Sequence, residues 1–171
     1  TGTDKQFDDK LTSGLAWDLA FHHYIKNFGW GIFYSGYSSD SYYEKTNMDH
    51  NVLLSYIAPL FCTKYSFNKK WMINGEVGVG YLKFSDKISS GIEKGKTYVS
   101  TVGFNYGIGI EYKLNKHMGI GISFNEIVGS AFLKNIKMEN VHSIIAYNDY
   151  DRINLNRLNL LGGIRFYFGD R

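Results

Sequence analysis

The sequence predicts an all-β fold: one antiparallel sheet of long strands curled into an up-and-down barrel. Three observations predict it. The first is a period of two across residues 97–125. Every second residue from Tyr98 gives Tyr98, Ser100, Val102, Phe104, Tyr106, Ile108, Ile110, Tyr112 and Leu114. The other register gives Thr97, Val99, Thr101, Gly103, Asn105, Gly107, Gly109, Glu111 and Lys113. One face is bulky and largely apolar, the other small, polar or charged, and a period of two belongs to a strand. The second observation is the restart after Asn115-Lys116-His117, with Met118, Ile120, Ile122 and Phe124 opposite Gly119, Gly121, Ser123 and Asn125. Three polar residues between two alternating runs predict a tight hairpin. The third is the alternation of connections: short at 26–29, 68–70 and 115–117, long at 38–50, where strand extensions are expected, and at 85–96 and 129–153.

The two faces decide the solvent. A soluble barrel turns its bulky apolar side chains inward and its polar ones to water. Here the polar face is mostly Gly, Ser and Asn, too small for a soluble exterior and suited to a narrow interior. The Ile/Phe/Tyr face then points out into lipid, which predicts a transmembrane β-barrel. The run is also longer than the ~3–10 residues of most soluble strands. It can cross a bilayer, which needs ~9–11 tilted residues, and project beyond it.

Composition agrees. Aromatic residues make up 17%, with 14 Tyr and 12 Phe, as aromatic girdles at two interfaces require. There are 19 Gly and one Pro. The mean hydropathy of −0.26 suggests a soluble chain, but alternation averages the two faces together. No stretch of about 18 apolar residues is present, so no transmembrane helix is expected. A dispersed net charge of +3 gives no reason to expect nucleic acid. The single Cys62 excludes an intramolecular disulfide. The 171 residues suit one domain, 1–171.

Taken in order, residues 1–11 are polar and charged and predict a loop. From residue 15, Leu15, Trp17, Leu19, Phe21, His23 and Ile25 alternate with Gly14, Ala16, Asp18, Ala20, His22 and Tyr24, a strand over 12–25. The strand at 30–37 turns Trp30, Ile32 and Tyr34 outward, with Phe33 and Tyr37 in the opposite register. The strand at 51–66 turns out Leu53, Ile57, Phe61 and Tyr65. Pro59 removes a ladder donor there and predicts a bulge or local irregularity. From Trp71, the outward set is Trp71, Ile73, Val77, Val79 and Tyr81, and Asn74, Glu76, Gly78 and Gly80 face inward. The last strand, about 154–168, turns Leu158, Leu160, Ile164, Phe166 and Phe168 out and Asn159, Leu161, Gly163, Arg165 and Tyr167 in.

Outer-membrane barrels have short periplasmic turns and longer extracellular loops. The strand at 12–25 ends in a short turn, so it runs downward, and the loop at 1–11 is extracellular. About seven strands are counted, whereas closed bacterial single-chain barrels have an even number from eight. The chain opens on Thr1, not Met, and carries no export signal. The expectation is an eight-stranded barrel whose first strand, with a signal peptide, lies upstream, leaving seven antiparallel strands curled with one absent.

The repeated aromatic-and-glycine strands GWGIFYSGY (29–37), GEVGVGYLKF (75–84), FNYGIGIEYKL (104–114) and LLGGIRFYF (160–168) resemble those of the small eight-stranded outer-membrane β-barrel proteins of Gram-negative bacteria, the porin-like outer membrane β-barrel domain group. The resemblance covers nearly the whole chain. It implies an integral outer-membrane protein whose partners are the bilayer and the barrel assembly machinery. That machinery reads a C-terminal strand ending in an aromatic, the role of Phe168 here.

No chemistry-bearing motif stands out. GYGIGIEY and HMGIGISF contain G-x-G but lack the third Gly and the strand–helix context, and glycines relieving crowding explain them. His22 and His23 point to opposite faces and cannot chelate one metal. His50, His117 and His142 sit in or beside connections without ligand-spaced partners. No metal, cofactor or catalytic residue is therefore expected. The outer rim offers Asp40, Ser41, Asp49, His50, His142 and Ser143, a set that polar loops produce by chance. The inward charges Asp18, Glu76, Glu111, Lys113 and Arg165, with Asn105, predict a paired polar network in the lumen. Arg165 is the expected partner of Glu76 and Glu111. Val77, Phe104, Ile108, Ile120 and Ile164 are expected to face lipid. An eight-stranded barrel is only wide enough for side chains to fill. The expected function is a plugged barrel presenting its loops for structural or interaction roles to an extracellular ligand the sequence does not name. The alternatives are a narrow channel and a lipid-modifying enzyme.

Overall fold

The computed structural model describes residues 14–43, 48–90, 93–132, 137–139 and 152–168. The described residues form one antiparallel sheet with no helix. Its strands are β1 (Leu15–Ile25), β2 (Phe28–Tyr43), β3 (Met48–Ser66), β4 (Trp71–Ser90), β5 (Glu93–Lys113), β6 (Met118–Phe132), β7 (Lys137–Glu139), β8 (Arg152–Asn154) and β9 (Arg157–Phe166). Each strand from β1 to β6 pairs with the next, and β9 pairs with β6. The two short strands add no new column. β7 pairs with β5 above the end of β6 and continues the β6 column upward. β8 keeps the register of β9 on β6 and is its upper end. The described residues thus make seven columns, and β1 and β9 are not paired with each other. The sheet is curled but not closed.

The long connections are shorter than the sequence suggests. β2 and β3 stay paired up to Tyr43 opposite Met48, and β4 and β5 up to Ser90 opposite Glu93. Most of 38–50 and 85–96 is therefore ladder, not loop. The segments 1–11 and 140–151, with His142 and Ser143, lie outside the described residues. Pro59 interrupts the β3–β4 ladder without a bulge. Ala58 and Pro59 make no pair with β4, yet Ile57↔Tyr81 and Leu60↔Gly78 keep one register.

The short turns are built from local hydrogen bonds. Lys26 takes φ 59°, in the left-handed region, to close the two-residue turn between β1 and β2. The Asn68 side chain accepts from the backbone N–H of Lys70 and Trp71, and Asn115 from that of His117. Such Asx turns fix hairpin register locally.

The outer face carries large apolar side chains in cross-strand rows, such as Ile73–Ile110–Ile122 and Ile108–Phe124–Leu160. These are exposed, Ile108 at 58% and Leu160 at 75%. Counted from the short-turn end, the outward apolar run fills the 11 residues of β1, broken only by His23. Runs of the same length occupy 71–81, 102–112 and 158–168. Above them the outer face turns polar at Ser55, Lys83, Ser100, Ser130 and Asn156.

The inner face changes in the opposite sense. Beside the apolar band it is polar. From mid-height upward it holds an apolar core that includes Val52, Tyr56, Leu82, Phe84, Ile127 and Leu155. Glycines make room for it. Gly80, Gly103 and Gly129 lie in one row across β4, β5 and β6. A Cβ on Gly103 would stand 3.1 Å from the Tyr56 ring, and one on Gly129 2.5 Å from a Leu82 methyl. At Gly80 the obstruction is the Ile57 carbonyl and the Ala58 Cβ, which cannot step aside as a side-chain tip can.

Gly80→Val is therefore expected to cost about 1–3 kcal/mol through overpacking. Gly162, with nothing within 4 Å of an added Cβ, is the control, and Gly162→Ala should be neutral or slightly stabilising. Chemical denaturation of both variants checks the pair. Equal stabilities would contradict the packing described.

Candidate functional site

The polar lower half of the interior is the densest cluster of charged side chains among the described residues. Alternation puts them there: the inward register contributes Asp18 and His22 from β1, Ser35 from β2, Asn74 and Glu76 from β4, Glu111 from β5, Asn125 from β6, and Arg157, Asn159 and Arg165 from β9.

Nearest the short turns, Glu111 is the centre. It is 3% exposed. An Arg165 guanidinium nitrogen lies 2.7 Å from its Oε1, the Tyr167 hydroxyl donates to Oε2 at 3.0 Å, and the Asn74 amide donates to Oε1. A buried carboxylate with a cation and two further donors is compensated. Arg165 also approaches His22 Nδ1 at 2.8 Å, and His22 Nε2 lies 3.0 Å from Glu76. Guanidinium only donates, so Nδ1 accepts and Nε2 carries the proton it gives to Glu76. One chain of contacts thus runs Glu111–Arg165–His22–Glu76.

Higher up, Asp18 accepts from the Ser35 hydroxyl and from the Asn125 amide, the latter at 2.6 Å. Asn159 donates to Asn125 at 2.9 Å, and Arg157 donates to Ser35 while its guanidinium covers the Tyr37 ring. At the boundary with the apolar core, the Tyr56 hydroxyl donates to Asn105 Oδ1 at 3.0 Å, and Asn105 is fully buried. Near the top, inside β3 and β4, His50 Nδ1 lies 2.9 Å from Asp86.

Three contacts cross the opening: Asp18 on β1 to Asn125 on β6, Ser35 on β2 to Arg157 on β9, and His22 on β1 to Arg165 on β9. β1 and β9 share no backbone ladder, so side chains span the opening between them.

Asp18, Glu76, Asn105, Glu111 and Arg165 all lie on the inner face. Val77, Phe104, Ile108, Ile120 and Ile164 are exposed on the outer face, as is Phe168 beyond the end of β9. Two expectations change. Arg165 pairs with Glu111 but not with Glu76, whose partner is His22. Lys113 is half-buried and stands over the Tyr167 ring, 5.5 Å from its centroid, at the rim of the network. His22 and Arg157 were not among the expected network residues, although the inward parity of His22 was already legible. Among the described residues no group of three or more His, Cys, Asp or Glu could hold a metal ion. Of the rim set, Asp40 and Asp49 are exposed, and His50 meets the buried Asp86.

The fold and site define a class: an antiparallel up-and-down sheet with an apolar exterior band and a cross-linked polar interior. No family model, curated protein or solved structure matches the chain.

Arg165→Met should destabilise the protein by roughly 2–4 kcal/mol, since it strands the buried Glu111 carboxylate. Adding Glu111→Gln should recover part of that loss. A double-mutant cycle by denaturation measures the coupling, and an Arg165→Met loss under ~0.5 kcal/mol would show that the pair contributes nothing.

Proposed function

We propose that the chain is an integral β-barrel protein of a bacterial outer membrane, with a lumen plugged by its own side chains and with its upper strands and loops presented outside the cell for structural or interaction roles. One observation carries the reading: the sheet reverses its polarity along its length. In the lower half apolar side chains face out and charged ones face in. In the upper half Ser55, Lys83 and Ser100 face out while Tyr56, Leu82 and Val99 are buried. A sheet in one solvent has no reason to reverse. A sheet standing half in hydrocarbon and half in water has to.

The height of the band supports it. The 11 residues of β1 match the ~9–11 tilted residues that cross a bilayer. So wide an exposed apolar surface exceeds what soluble monomers tolerate. Asp18, His22, Glu76, Glu111 and Arg165 are turned inward and paired at band height, as hydrocarbon demands. Glu126 is the outward exception, and it accepts from the Tyr106 hydroxyl beside it. The lumen at that level is filled by Glu111, Arg165, His22, Glu76 and their partners, with the Tyr56–Leu82 core above them. That filling favours a plug over a channel.

Closure belongs to the same proposal. β1 and β9 both run toward the short-turn end, so one strand running upward between them pairs antiparallel with each. Unpaired backbone groups in hydrocarbon cost several kcal/mol each, which makes an eighth strand the natural completion. Phe168, 89% exposed beside the apolar band, is the residue the barrel assembly machinery would read.

Ile108→Arg tests the reading. In a bilayer a cation at that place costs ~2–4 kcal/mol. On a water-washed sheet the same change at an exposed position stays within about 0.5 kcal/mol. The measurement is unfolding of both proteins from phosphatidylcholine vesicles, and equal stabilities would remove the membrane placement.

A further inference from the structure

The formal charge of +3 is distributed unevenly along the barrel axis. The segments 24–31, 63–73 and 112–119 form the short-turn end. They carry Lys26, Lys64, Lys69, Lys70, Lys113 and Lys116, and no Asp or Glu. The long connections at the opposite end carry acids and bases in nearly equal numbers. Asp170 and Arg171, which follow β9, offset each other.

The lysines form a ring, not a patch. Each of the three short turns or its flanking strand ends holds at least one. Lys26, Lys69, Lys70 and Lys116 are exposed on the turns. Turns held by Asn68 and Asn115 present them from fixed backbone. Lys70 stands over the Tyr112 ring at 5.6 Å and Lys113 over Tyr167 at 5.5 Å. Directly above this ring the outer wall is aromatic, with Phe28, Tyr65, Phe67 and Trp71 exposed. Between the first two turns is an open notch of about 490 Å³, lined by Tyr24, Lys26, Asn27, Lys64, Tyr65 and Ser66.

We propose that this lysine ring binds the phosphate headgroups of anionic phospholipids in the leaflet at the short-turn end. The inference rests on the membrane reading and specifies which lipid that surface selects. Three features point to lipid as the occupant. The cations encircle the end of the barrel, as an annulus of headgroups does. They lie at the edge of the apolar band, where headgroups would be. Of their aromatic neighbours, Tyr65, Trp71 and Tyr112 face out and are amphipathic, the chemistry of a membrane interface. Basic side chains at such a surface attract anionic lipid over about a Debye length, so the binding is salt-sensitive.

The test uses the folded protein in phosphatidylcholine vesicles doped with spin-labelled phosphatidylglycerol or spin-labelled phosphatidylcholine. Electron spin resonance measures each probe in the motionally restricted shell around the protein. Phosphatidylglycerol should be enriched several-fold over phosphatidylcholine. The ratio should fall toward one in Lys69→Gln/Lys70→Gln/Lys116→Gln and at high salt. Lys83→Gln, at the opposite edge of the band, should leave it unchanged. A restricted shell with no preference, or a preference that survives the triple substitution, overturns the proposal and leaves the membrane reading standing. An acidic peptide that binds the ring while phosphatidylglycerol shows no preference overturns it in favour of a protein partner. No restricted shell for either probe refutes the membrane reading itself, and this proposal with it.

Discussion

A strand allows its two faces no independence. Successive side chains point to opposite sides, so every residue placed on one face fixes its neighbours on the other. In this sheet the inner face is the tighter constraint, because seven curled columns leave little width between walls. Glycine, serine and asparagine dominate the lower inward register for that reason, and the few charges there must satisfy one another. Glu111 can be buried only because Arg165, Tyr167 and Asn74 all reach it. The bulky side chains have nowhere to go but out.

The lower half of the fold was legible in the sequence because its alternation is long and its phase constant. The outward sets of β1, β3, β4, β5, β6 and β9 follow from parity alone. The upper half was not, and the physical reason is the reversal of polarity. Along β4, past the inward Met72, the large apolar residues sit at odd positions from Ile73 to Tyr81 and then at even ones, Leu82 and Phe84. Along β3 the inward Val52, Leu54 and Tyr56 give way to the outward Ile57 and Phe61, with Leu53 outward and Leu60 inward as exceptions. The reversal moves the apolar set by one residue. In a period-two reading that shift resembles the end of a strand, so the reading places the paired ends of β4 and β5 in a polar loop and gives β2 and β3 only strand extensions into one.

The interior network was legible by facing and less so by pairing. Parity placed Glu76, Glu111 and Arg165 on one wall. Which carboxylate takes the guanidinium depends on the stagger of columns several strands apart, and no single segment encodes that. In the sequence His22 stands out only beside His23, as half of a pair that cannot chelate. Its role is to carry the interaction of Arg165 on to Glu76, a task suited to a ring with one accepting and one donating nitrogen. Arg157 sits where the last column re-forms after Leu155 and Asn156, and its use as a cross-lumen donor to Ser35 appears only once the sheet is curled.

The free edges give that network a second consequence. An open sheet holds its curl only through contacts that cross the opening, and here those contacts are polar side chains anchored deep inside. Asp18 with Asn125, and His22 with Arg165, draw β1 toward β6 and β9 without a backbone bond between the edge strands. The contacts that compensate the buried charges are thus the same ones that bridge the two edges. Asp18 and His22 reach across from β1, and Asn125 and Arg165 meet them from β6 and β9. Charge on the inner face therefore serves the shape of the sheet as well as its own compensation.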